Sequence, residues 1–253
     1  MTMKFKVITL LLAVMGNGLS FSFAQPTKAT DPVYLFSTFD GNAQDGLRFA
    51  FSYDGYYWSN IPGVFLKPHV DGKIMRDPSI TRGPDDTWHL VWTTAWRGNN
   101  GFGYAHSKDL VHWSEQKFIP VMAHEPTVCN VWAPELFFDA KEKQFIIAWA
   151  STIPGRFPDY LEPSTNNHRM YYTTTRDFNT FAPTKLFLDP DFSVIDCQIL
   201  KTSGVRPSSG AATPDNTAAA QTSQTQTPEN LAAPEDGRTP YVLLLKDNTR
   251  PQR

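Results

Sequence analysis

Short apolar runs alternate with turn-forming clusters along most of the chain, and each run is too brief for a helix. The segments "HLVWTT" (89–94), "FGYAHS" (102–107), "QFIIAWAS" (144–151) and "RMYYTTT" (169–175) are rich in aromatic and β-branched residues. Gly, Pro, Asp, Asn or Lys bound them, which is the punctuation of antiparallel strands. No stretch after the N-terminal region predicts a long helix.

The runs recur in two interleaved series. In the first, "SYDGYYWS" (52–59), "SKDLVHWS" (107–114) and "TRDFNTFA" (175–182) each place a Ser or Thr two residues before an Asp and an aromatic four residues after it. The anchors Asp54, Asp109 and Asp177 lie 55 and 68 residues apart. A carboxylate at that place can accept backbone N–H bonds and pin a hairpin, so a turn role is expected for all three. In the second series, "RDPSITRGPDDTWHLVWTT" (76–94), "WAPELFFDAKEKQFIIAWAS" (132–151) and "VIDCQILKTS" (194–203), resumed at "TPYVLLLKD" (239–247), each open a new unit. Four short strands in each period of about 55–65 residues predict an all-β fold, a β-propeller of four-stranded blades.

Three features set the boundaries. Lys4 and Lys6, the apolar core "VITLLLAVMG" and "SFA" before Gln25 read as a cleavable export signal over residues 1–24, so the chain is expected to be secreted or periplasmic. That core is too short to span a bilayer. Residues 203–238 are dominated by Ser, Thr, Ala, Pro and Gln, cannot bury enough surface to offset their ordering entropy, and are expected to form a disordered insertion. Residues 25–253 without that insertion hold about three blades, fewer than a closed propeller needs, and the chain is expected to be an N-terminal portion of a larger propeller.

Charge narrows the partners only by exclusion. Twenty-three basic residues face 25 acidic ones without blocks, so neither a nucleic-acid stripe nor membrane insertion of the mature chain is expected. The six histidines have no metal-ligand spacing, and neither a metal nor a cofactor is called for. Cys129 and Cys197 are compatible with a disulfide or with two buried thiols.

Asp77, Glu135 and Asp196 stand near the starts of the second-series strands, and those strands line the axis of a propeller. Several carboxylates would then converge on one partly apolar funnel, where their pKa values are pushed apart and proton transfer becomes feasible.

The ordered motifs "MRDPSI", "NVWAPELFFD" and "FSVIDCQIL" resemble the five-bladed glycoside hydrolases of family 43, which include arabinofuranosidases, xylosidases, arabinanases and galactosidases. The resemblance implies a glycosidase acting on O-glycosidic bonds of plant-type polysaccharides or oligosaccharides, with inversion. It makes Asp77 the general base and Asp196 the residue that orients the acid and raises its pKa. Cys197 departs from the usual Pro or Ala of that motif. The family's general acid, a Glu in an "EGP"-like strand, has no counterpart here: Glu229 and Glu235 fall in the insertion, and Glu125 in "HEPT" lies in the wrong blade. Glu135, Trp132, Trp96 and Arg76 are candidates for holding the sugar, whereas Trp88, Trp92 and Trp149 read as core. Two alternatives stay open: a non-catalytic or degenerate carbohydrate-binding propeller, and the related fructan-cleaving furanosidases, whose Asn-Asp-Pro opening is absent.

Overall fold

The computed structural model describes residues 33–158, 166–201 and 241–249. Residues 1–24 and 203–238, assigned above to a signal and an insertion, lie outside the described residues. Thirteen strands account for the regular structure: β1 (Tyr34–Thr38), β2 (Leu47–Ser52), β3 (Ser59–Leu66), β4 (Arg76–Arg82), β5 (Trp88–Thr93), β6 (Phe102–Ser107), β7 (Lys117–Ile119), β8 (Trp132–Asp139), β9 (Gln144–Ser151), β10 (Arg169–Thr175), β11 (Lys185–Leu188), β12 (Val194–Lys201) and β13 (Tyr241–Asp247). No helix occurs among the described residues.

The strands form four antiparallel sheets in chain order: β1-β2-β3, β4-β5-β6-β7, β8-β9-β10-β11 and β12-β13. Each successive pair encloses an apolar core. Leu47 and Phe49 of the first sheet meet Leu90 and Trp92 of the second. Val91, Phe102 and Tyr104 then meet Phe145, Ile147 and Trp149 of the third, and Ile146, Ala148 and Met170 meet Val194, Cys197 and Ile199 of the fourth. Strands β4, β8 and β12, the first strands of their sheets, lie side by side along one edge of the array, and β1 lies beside β4. These are the blades and the inner rim of a β-propeller.

The predicted blade differs from the observed one at both ends of the array. The second and third sheets have four strands, but the first has three and the fourth has two. The first-series turn explains the first case. It joins β6 to β7 and β10 to β11, the third and fourth strands of their sheets, and in the first sheet it joins β2 to β3. Strands β1–β3 therefore match the outer three strands of a blade. In the fourth sheet, Lys201 at the end of β12 pairs with Tyr241 at the start of β13.

The turn itself repeats atom for atom. Asp54 Oδ1 accepts the N–H groups of Tyr56 and Tyr57 at 2.8 and 2.9 Å, Asp109 Oδ1 those of Val111 and His112 at 2.9 and 2.7 Å, and Asp177 Oδ1 those of Asn179 and Thr180 at 2.9 and 2.8 Å. The preceding Ser52, Ser107 and Thr175 hydroxyls donate to the same oxygens. Such bonds satisfy amides that the strand ladder leaves without partners.

The residue after each Asp is left-handed: Gly55 at φ 77°, Leu110 at 66° and Phe178 at 53°. For a bulky residue that conformation costs about 1–2 kcal/mol. Phe178 offsets it by stacking at 4.3 Å on both Tyr104 and His89 of the preceding blade, since burying such a ring contributes about 1.5–3 kcal/mol. Trp92 and Trp149 are fully buried as expected, and Trp92 leaves room only for Gly103 opposite it. Trp88 departs from the core expectation. It is partly buried, with the Arg82 guanidinium 5.5 Å above its ring.

Candidate active site

The inner strands do not run straight. In β4, Arg76 pairs with Thr93 and Ser79 with Val91, so Asp77 and Pro78 together face one residue, Trp92. In β8 the same shift sets Ala133 and Pro134 against Trp149, and in β12 it sets Asp196 and Cys197 against Leu245. A bulge of this kind bends the strand and re-aims a side chain. Its first residue is left-handed in all three strands: Asp77 at φ 49°, Ala133 at 45° and Asp196 at 53°. Asp tolerates that backbone better than most residues, and Pro tolerates the interior of a strand chiefly at bulges.

This equivalence corrects the sequence-based grouping of the three carboxylates. Asp77 and Asp196 occupy one position of the repeat, and Ala133 holds that position in the blade between them. Glu135 is two residues further on, level with Ser79 and Gln198.

Asp77, Glu135 and Asp196 nevertheless share one cavity of about 620 Å³, walled by β1, β4, β8 and β12. Phe36, Phe39 and Phe137 supply its aromatic surface. Burial raises the pKa of Asp77 above the ordinary carboxylate value; the positive charge of Arg76 opposes this, the negative charge of Asp196 adds to it, and Thr93 and Lys246 oppose it more weakly. Burial disfavours the charged form of the carboxyl, which is why it raises the pKa. Glu135 is raised for the same first reason, against hydrogen bonds from the Ser79 hydroxyl and the Ile199 N–H. Ser79 Oγ donates to Glu135 Oε2 at 2.9 Å and accepts the Leu136 N–H at 3.0 Å, which ties β4, β8 and β12 together through one carboxylate. Asp196 is paired with Lys246, whose Nζ lies 3.2 Å from Oδ2.

The other predicted sugar contacts form a separate cluster outside the cavity wall. The Arg76 guanidinium lies 4.0 Å from the Trp96 ring and 4.7 Å from that of Phe39. Trp96 is half exposed, with Trp132 edge-on to it at 6.2 Å. Trp132 donates its Nε1 proton to the Trp96 carbonyl at 2.9 Å and stacks on the buried His168 at 4.9 Å. Burial lowers the His168 pKa to about 4. Both carboxylate oxygens of Glu125 accept from the one nitrogen Nη2 of Arg156, at 2.7 and 2.8 Å. Cys129 and Cys197 are both free thiols, and burial first, then Glu135 and Asp196, push the Cys197 thiol pKa up. Among the described residues no His, Cys, Asp or Glu cluster has the grouping of a metal site.

Sequence reasoning missed Thr93, Lys246 and Ser79. Lys246 had a visible signal, a single cation at the end of the apolar run "YVLLLKD". Thr93 and Ser79 had none.

A family described as "probable glycosyl hydrolase domain", related to glycoside hydrolase family 43, matches residues 31–236. Among solved structures, an α-L-arabinofuranosidase from Lactobacillus brevis is similar at 16% identity over 51% of this chain and 41% of that one, with a TM-score of 0.41. A thermostable family-43 glycoside hydrolase is similar at 19% identity over 55% and 42%, with a TM-score of 0.39. A family-32 β-fructofuranosidase from Bombyx mori is similar at 20% identity over 68% and 38%, with a TM-score of 0.48. The chain thus spans about two fifths of the length of these proteins. No curated protein matches it.

Proposed function

We propose a function that proceeds from one premise: the chain belongs to the glycosyl hydrolase family that its residues 31–236 match. The reading is a glycosidase cleaving O-glycosidic bonds of plant-type or similar oligosaccharides, of the arabinofuranosidase, xylosidase and galactosidase group, with inversion. Its carrying observation is that Asp77 and Asp196 occupy the same left-handed bulge in two inner strands and open into one cavity.

Asp77 is the general base. Ionised, it takes a proton from a water that attacks the anomeric carbon, while the departing oxygen is protonated from the opposite face. Inversion requires room for that water, with base and acid carboxyls about 6.5–9.5 Å apart. Asp196 acts through its negative charge on the acid. Neither Glu135 nor Glu125 is free to be that acid: Glu135 is held by Ser79 and by the Ile199 N–H, and Glu125 by Arg156. The acid is assigned to a following blade, and residues 1–24 to an export signal that sends the chain to the periplasm or outside the cell.

A second reading, a propeller that binds carbohydrate without cleaving it, is favoured by one contact. Lys246 offsets the charge through which Asp196 would act.

Aryl glycosides with strongly acidic phenol leaving groups separate the two, because such groups depart without a proton. The expected result with a panel of arabinofuranosides, xylosides and galactosides is slow hydrolysis that Asp77→Asn abolishes. Binding without turnover across the panel supports the second reading, and turnover retained in Asp77→Asn removes Asp77 from the chemistry.

A further inference from the structure

The residue across the ladder from each bulge varies with what the bulge carries. Arg76 pairs with Thr93, Trp132 with Ala150 and Ile195 with Lys246. Where the bulge presents a carboxylate, this cross-strand residue is a donor. Thr93 Oγ1 donates to Asp77 Oδ2 at 3.3 Å, and Lys246 Nζ donates to Asp196 Oδ2 at 3.2 Å. Where the bulge presents Ala133, the cross-strand residue is Ala150, whose side chain has no donor. Ladder hydrogen bonds are made by the backbone and ask nothing of these side chains. A donor opposite each acid, and an alanine opposite the alanine, is therefore a feature of the cavity and not of the sheet.

We propose that Thr93 and Lys246 are positioning residues that aim the carboxylates of Asp77 and Asp196 into the cavity from equivalent places on the second strand of their blades. The proposal rests on the reading of those two acids given above. Thr93 is nearly inaccessible, 1% exposed, and its hydroxyl is spoken for on both sides. It accepts the Ala133 N–H at 2.8 Å, which directs its one proton toward Asp77. The hydroxyl so couples the base on β4 to the bulge of the next blade. Lys246 is different, half exposed and cationic, and it sets a full positive charge against Asp196. The charged groups that act on Asp77 are Arg76 on its own strand, Asp196 on β12 and Lys246 on β13, with Glu135 of β8 in the same cavity.

The test follows side-chain carboxyl and backbone amide resonances of the full chain by NMR across a pH titration, with Asp77→Asn identifying the Asp77 signal. Thr93→Val is expected to move the Asp77 midpoint upward by about half to one pH unit, and Thr93→Ser to return it, since a hydroxyl donor favours the ionised form. Lys246→Met is expected to move the Asp77 midpoint upward by less and to displace the Asp196 carboxyl resonance. In the unmodified chain the Ala133 amide is expected to titrate with the Asp77 midpoint, a readout that holds even if Thr93→Val does not fold. An Ala133 amide that ignores Asp77, an unmoved midpoint in folded Thr93→Val, or failure of Thr93→Ser to restore it overturns the role of Thr93; unchanged resonances in Lys246→Met overturn that of Lys246. None of these signals depends on turnover, so absence of glycosidase activity alone leaves the result standing.

Discussion

Two sets of aspartates repeat along this chain, and their surroundings give one side chain two opposite characters. Asp54, Asp109 and Asp177 stand on exposed turns at the outer strands, where their carboxyl pKa is held below the usual range, by backbone N–H bonds at Asp54 and Asp177 and by the His112 side chain, then backbone N–H bonds, at Asp109. Asp77 stands on an inner-strand bulge, where burial pushes its carboxyl up. In the turns one carboxylate oxygen is already committed to two or more donors, and such a group is a poor proton acceptor. On the bulge Asp77 has one long hydrogen bond from Thr93, which leaves capacity for a water. Position in the sheet, not residue type, separates the structural acid from the candidate catalytic one.

The largest effect expected from breaking this contrast is at Asp77. Asp77→Asn removes the base and lowers the rate on activated glycosides by about 100- to 10,000-fold, with the melting temperature nearly unchanged; a rate within twofold of the parent chain erases the distinction between the two sets.

Next in size is Ser79→Ala. It leaves the Leu136 N–H without its partner and the half-buried Glu135 with one donor fewer, and it costs about 1–3 kcal/mol in urea unfolding. A midpoint equal to that of the parent chain indicates that the tie between blades is idle.

Asp109→Ala is smaller and of the opposite kind. It lowers the melting temperature by a few degrees, because the Val111 and His112 amides turn to water, and leaves hydrolysis unaltered. Lost hydrolysis with unchanged stability assigns Asp109 to the site instead of the turn.

The smallest and sharpest effect is the slope of stability with pH. Asp77 binds its proton more tightly folded than unfolded, so its contribution to stability is greatest below the unfolded carboxylate value of about 4 and falls as pH rises through its folded pKa. Asp109 binds its proton less tightly folded, so its contribution is full above about 4 and is lost as pH falls below that value. Differences in unfolding free energy between the parent chain and Asp77→Asn, and between the parent and Asp109→Asn, should slope in opposite senses with pH. Parallel slopes end the comparison.

Much of this was readable in advance, and where reading stopped is instructive. The Ser/Thr-x-Asp turns were legible because their bonds are local: donor, acceptor and hydroxyl lie within three residues of one another. Convergence of Asp77 and Asp196 was legible because the repeat places their strands in the same role. The bulge was signalled only indirectly, by Pro78 and Pro134 inside strand-like runs. It falls at the same place in all three strands, so Pro134 matches Pro78, Ala133 matches Asp77, and Glu135 matches Ser79, two places beyond the acids. Thr93 and Thr94 show the limit most plainly. They are identical neighbours, yet Thr93 bonds Asp77 and Thr94 bonds Asp71. No sequence pattern says which threonine faces which way.

From its residues alone this chain determined a series of short strands, the turns that join them, and the recurrence of acids at strand starts, since each depends on side chains close together along the backbone. Tertiary structure alone decided which acids share a cavity, which donors hold them and how deeply burial shifts them. Those quantities depend on distances between β4, β8, β12 and β13, and such distances exist only after the blades have packed.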